Sequence, residues 1–124
     1  MKILASGPSG PPGELDPLRA GGHEIVIGRP LDQPGRAAYT DVELGAAARD
    51  CHVILASHLD AITRGVMDAA PSLRLVIVPF IGTDKIDIRA ASAVGVLVAN
   101  SPTPENFIAV AEATIALTDR KSVV

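Results

Sequence analysis

Five short apolar runs, at residues 2–5, 24–27, 52–56, 73–78 and 96–99, set the main limit on what this chain can fold into. Most are continuous rather than alternating, the pattern of strands covered on both faces of a parallel sheet. The stretches between them carry helix signals. Thr40, Asp41, Val42 and Glu43 spell a capping box, in which the Thr hydroxyl and the Glu carboxylate satisfy free backbone donors reciprocally. Ser57 and Asp84 are each placed to cap the helix that follows, and Thr103 does so with Pro104 at the first helical position. Pro71 stops the third helical segment, and Gly95 stands where a left-handed C-cap belongs. The first connection is poor in helix signals. Residues 6–13 hold three Pro and three Gly, which leaves only residues 14–20 or so for a helix. Residues 28–35 read as a second irregular stretch at the surface.

Strand–helix alternation with short connections implies a doubly wound α/β domain. With five strands, the expected architecture is a flavodoxin-like parallel sheet of order 2-1-3-4-5. Ligands bind such sheets outside the carboxyl ends of the strands, which directs attention to residues 6–10, Ser57, His58, residues 79–83 and residues 100–103. The chain is expected to divide into this lobe at 1–103, a crossover or dimerisation helix at 104–118 that is cut short, and a non-native tail at 119–124. From Phe107 to Leu117 the only charge is Glu112, so that helix is apolar around its circumference and must face another domain or subunit.

Composition removes several classes of function. The net charge is −3 and aromatic residues make up 2%, so neither a basic track for a phosphate backbone nor a base-stacking surface is available, and no nucleic-acid partner is expected. The single cysteine, Cys51, excludes an internal disulfide and a cysteine-based zinc site, and reads as a small buried apolar residue. The longest apolar run, about residues 73–82, is far below the ~20 residues of a membrane helix. No membrane partner and no secretory leader are expected, and a cytoplasmic location follows.

Among candidate site residues, the glycines after the first run match neither the P-loop nor the dinucleotide fingerprint, and their prolines remove the donors a phosphate loop needs. A plain turn is the expectation there. At Ile81, Gly82 and Thr83 the chain leaves the fourth strand and approaches a helix start, where a glycine permits close backbone approach and exposed amides suit a carboxylate. The other reading is a tight turn. His58 falls at a strand's carboxyl end, whereas His23 and His52 read as structural or solvated. Asp84, Lys85 and Asp87 read as a solvated cap cluster. A receiver-type signalling domain is excluded, since its acidic and lysine positions hold Ser6, Ser57 and Asn100.

The ordered pieces Ala70-Pro71-Ser72-Leu73-Arg74-Leu75-Val76, Ile81-Gly82-Thr83-Asp84-Lys85-Ile86-Asp87, Ala90-Ala91, Gly95-Val96, Asn100-Ser101-Pro102 and Asn106 with Val110-Ala111-Glu112 resemble the D-isomer-specific 2-hydroxyacid dehydrogenase family, phosphoglycerate dehydrogenase-like members in particular. Phe80 departs from the pattern, standing where many members have Gly. The resemblance implies the N-terminal, substrate-binding lobe of an oxidoreductase that transfers hydride from small 2-hydroxy acids to NAD or NADP. It implies that the backbone of Ile81 and Gly82 holds the substrate carboxylate with Thr83 adjacent, and that Asn106 faces the interdomain cleft. It also implies a homodimeric parent whose cofactor-binding and catalytic residues lie beyond this chain, so that the chain alone is inactive. A non-catalytic, stand-alone α/β binding or dimerisation module is the alternative.

Overall fold

The computed structural model describes residues 1–8, 13–78 and 83–100. Five strands, β1 (Lys2–Ala5), β2 (Glu24–Ile27), β3 (Val53–Leu55), β4 (Leu75–Val78) and β5 (Leu97–Asn100), pair in parallel in the order β2-β1-β3-β4-β5. Four helices alternate with them: α1 (Asp16–Ala20), α2 (Asp41–Ala47), α3 (Arg64–Ala69) and α4 (Ile88–Val94). The α/β order 2-1-3-4-5 expected from the sequence is the observed one.

Register explains the core. Leu4 pairs with Val26 and Ile54, Ile54 with Val76, and Val76 with Val98, so one apolar row crosses the whole sheet on a single face. Leu4, Ile54 and Val76 are fully buried and share a core with Leu44 of α2, Val66 and Met67 of α3, and Ala90 and Ala91 of α4. The opposite face carries Ile3, Ala5, Val53, Leu55, Leu75, Ile77, Leu97 and Ala99 in the same register, and α1 packs beside β2. There Ile3 and Val53 are buried, whereas Leu97 is 71% exposed.

The helix ends follow local chemistry. Thr40 and Glu43 form the capping box in full, with Glu43 N–H donating to Thr40 Oγ1 at 3.2 Å and Thr40 N–H donating to Glu43 Oε1 at 3.0 Å. Pro71 follows directly on the C-cap Ala70 of α3, and Gly95 closes α4 at φ 79°. Two expectations are corrected. The N-cap of α3 is Thr63 rather than Ser57, and that of α4 is Asp87 rather than Asp84. Both helices begin later because residues 57–62 and 83–87 are drawn together by a parallel bridge, Ile62 N–H to Lys85 O at 2.8 Å and Asp87 N–H to Ile62 O at 3.0 Å. Asp87 consequently caps α4 by accepting from Ala90 N–H, so it has a role separate from Asp84 and Lys85. Helices α2 and α3 meet closely: a Cβ on Gly45 would fall 2.7 Å from Ala69 Cβ. The two helix starts are also tied, since Thr63 Oγ1 donates to Asp41 Oδ2 at 2.7 Å. The expected helix at 104–118 and tail at 119–124 lie outside the described residues.

Candidate functional site

The carboxyl ends of β1 and β3 hold a buried polar cluster in an otherwise apolar interior. Ser6, one residue past β1, is fully buried and continues the ladder by donating its N–H to Leu55 O. Its hydroxyl donates to Asp60 Oδ2 at 2.9 Å and accepts from Ser57 N–H at 3.0 Å. The Ser57 hydroxyl donates to the same Asp60 oxygen at 2.6 Å and accepts from Leu59 N–H at 3.2 Å. Asp60 itself is fully buried.

The balancing charge comes from the irregular connection after β2. Arg36 Nη1 and Nη2 reach the two Asp60 oxygens at 2.9 and 2.8 Å, a bidentate pair with side-chain exposures of 2% and 0%. The remaining guanidinium donors are used on the carbonyls of Ser6, Arg29 and Ala37, and Tyr39 N–H donates to Asp60 Oδ1 at 3.1 Å. The Tyr39 ring lies beneath Arg29, whose guanidinium carbon is 4.1 Å from the ring centroid, with Arg36 at 5.2 Å. Burial by itself pushes the Asp60 pKa up, but hydrogen bonds from Arg36, Ser57, the Tyr39 backbone and Ser6 outweigh it and hold the carboxyl at about 2. The hydrogen bond to Asp60 raises the Arg36 pKa despite its burial.

Beside this cluster opens a cavity of about 240 Å³ at the carboxyl ends of β3 and β4. Ser57, His58 and Asp60 form one wall, Thr83, Asp84 and Lys85 the other, and Val78 and Ile86 supply the apolar part. The Ile62–Ile86 bridge brings the two walls together. A small anion with an apolar substituent suits this mixture: Thr83 and Lys85 supply donors beside the Asp84 carboxylate, and Arg36 compensates the charge of Asp60. A second depression, of about 420 Å³, lies along α2 and α3 and is lined by Gly45, Ala46, Gly65 and Ala69 with Val42, Asp41 and Arg49.

Of the residues singled out from sequence, Thr83 and His58 line the cavity, and Asp84 and Lys85 belong to its wall rather than to a cap. Ile81, Gly82 and Asn106 lie outside the described residues. His52 is structural, accepting from Lys2 N–H at 3.0 Å, and burial pushes the Cys51 thiol pKa up. Arg36 and Asp60 were invisible to sequence reading, because their pairing spans 24 residues. The signal that was present is Asp60 itself, an acid two residues past His58 among apolar neighbours. Ser6 and Gly7 do form a protein-packed turn. A Cβ on Gly7 would fall 2.6 Å from Ser57 Cβ and 3.1 Å from Arg36 Nη2. Gly7 is therefore packed on by protein atoms and offers the pyrophosphate of a dinucleotide no room among the described residues. They also contain no group of three or more His, Cys, Asp or Glu able to hold a metal ion, and no helix long and apolar enough to cross a membrane.

A parallel sheet of this order with a cavity of mixed lining at its strand carboxyl ends defines a doubly wound α/β lobe. The pattern of the D-isomer specific 2-hydroxyacid dehydrogenase catalytic domain matches residues 3–120, and the chain belongs to that family. It is 36% identical over 96 residues to D-3-phosphoglycerate dehydrogenase of Mycobacterium leprae, a match covering 77% of this chain and 17% of that protein. Among solved structures, the TT0316 protein of Thermus thermophilus superposes with a TM-score of 0.72 at 29% identity, covering 94% of this chain and 35% of the other. An NAD-dependent formate dehydrogenase of Staphylococcus aureus, solved in complex with NAD, superposes with a TM-score of 0.62 at 26% identity, covering 96% of this chain and 39% of the other. The chain spans between 14% and 25% of the length of the curated relatives it matches.

Proposed function

We propose that this chain is the substrate-side lobe of an NAD(P)-dependent D-2-hydroxyacid dehydrogenase, and that it contributes part of a substrate cleft without hydride chemistry of its own. The cavity between Ser57-His58 and Thr83-Lys85 carries this reading, because it lies at the strand carboxyl ends and offers donors to a small 2-oxo or 2-hydroxy acid. In this reading the amides of Ile81 and Gly82 bind the substrate carboxylate, Thr83 is adjacent, and Asn106 faces the interdomain cleft.

In that reaction a nicotinamide held elsewhere in the parent would accept hydride from the hydroxy acid, and a base would take the hydroxyl proton. The reaction requires a positioned cofactor, a cation for the carboxylate and a proton acceptor. In this reading such a cofactor is held by other parts of the parent enzyme. The parent is proposed to be a cytoplasmic homodimer in which the apolar segment 104–118 crosses between lobes and contributes to the subunit contact. Incubated with NAD or NADP and either D-lactate or D-3-phosphoglycerate, the purified chain is expected to produce no reduced cofactor. Turnover by the purified chain would overturn the reading.

A further inference from the structure

We infer that Asp60 and Arg36 are positioning residues for the substrate cavity, acting through the β3–α3 turn that carries Ser57 and His58. The inference rests on the proposed function above. A buried ion pair is a poor source of net stability, because desolvating two charges offsets their attraction and a well-packed apolar pair does as well or better. This pair is buried, bidentate and placed under the cavity wall, where its geometry has a use. Asp60 Oδ2 receives three donors, from Ser6, Ser57 and Arg36, and Oδ1 receives two, from Arg36 and Tyr39 N–H. One carboxylate thereby locks the ends of β1 and β3 and the 28–39 connection into a single arrangement. Ser57 then fixes the next turn by accepting from Leu59 N–H, which sets the direction of the segment containing His58. Arg36 has a second effect. It cancels the charge of a carboxylate that would otherwise repel an anionic substrate from the same cavity.

Two variants of the 124-residue chain separate positioning from bulk stability: Asp60→Asn, which keeps the shape, and Arg36→Met with Asp60→Leu, which leaves no unpaired charge. Pyruvate, the smallest 2-oxo acid with an apolar substituent, serves as the titrant in amide NMR. In both variants pyruvate affinity is expected to fall about tenfold. Exchange at the Ser57 and Leu59 amides is expected to accelerate about tenfold more than at Ala90 and Ala91 of α4. Wild-type pyruvate affinity together with unchanged relative protection at Ser57 and Leu59 overturns the inference, whatever happens to the melting temperature. If the wild-type chain itself binds no pyruvate, the proposed function fails for the chain, and local exchange alone decides the positioning role.

Discussion

Asp60 shows how one side chain can link the fold to acidity. Its carboxyl titrates at about 2 in the folded chain against 3.8 for the ordinary group. A depressed pKa means stability that is fully present above the unfolded value and lost as pH falls toward the folded one. The difference amounts to about 2 kcal/mol, disappearing between roughly pH 5 and pH 2. Thermal melts across that interval are expected to show a steep loss that Asp60→Asn lacks, and parallel profiles for the two proteins would rule the linkage out. Arg36→Met alone is expected to destabilise by about 3–5 kcal/mol, because it strands a buried carboxylate, and denaturant melts measure this. Beyond an acid among apolar neighbours at Asp60, none of this is legible in the sequence. Arg36 directly follows the stretch 28–35 that reads as irregular surface, and nothing in local spacing announces a partner 24 residues away. By contrast, Thr83 and His58, which line the cavity, stand at strand ends that are visible from the runs of apolar residues before them.

At the scale of elements, local chemistry was the readable part. The capping box of α2 requires only four consecutive residues, and the αL C-cap at Gly95 requires only one. The starts of α3 and α4 were misplaced for a tertiary reason. Ser57 and Asp84 are sound caps in isolation, but Ser57 is engaged by Asp60, the chain turns at 58–59 and 84–85, and the Ile62–Ile86 bridge follows before the helices start at Thr63 and Asp87. The contact between α2 and α3 gives a sharp test. Val at Gly45 places side-chain atoms where Ala69 already sits, so Gly45→Val is expected to destabilise by about 1–3 kcal/mol in denaturant melts. A neutral result would mean that the two helices can separate without cost.

For the whole molecule, alternation of apolar runs and helix signals was enough to specify the sheet order, since topology rules leave few other ways to connect five parallel strands. What periodicity could not distinguish is how fully each sheet face is covered. The row from Leu4 to Val98 is sealed by α2, α3 and α4, whereas Leu97 on the other face stays exposed. The function read from this lobe depends on its cavity, and the direct measurement is an amide-resolved titration of the chain with pyruvate. Shifts concentrated at Ser57, His58 and Thr83 are the expected result. Saturating shifts confined to another surface, such as the outer face of α2 and α3, or no shifts at all, would contradict it.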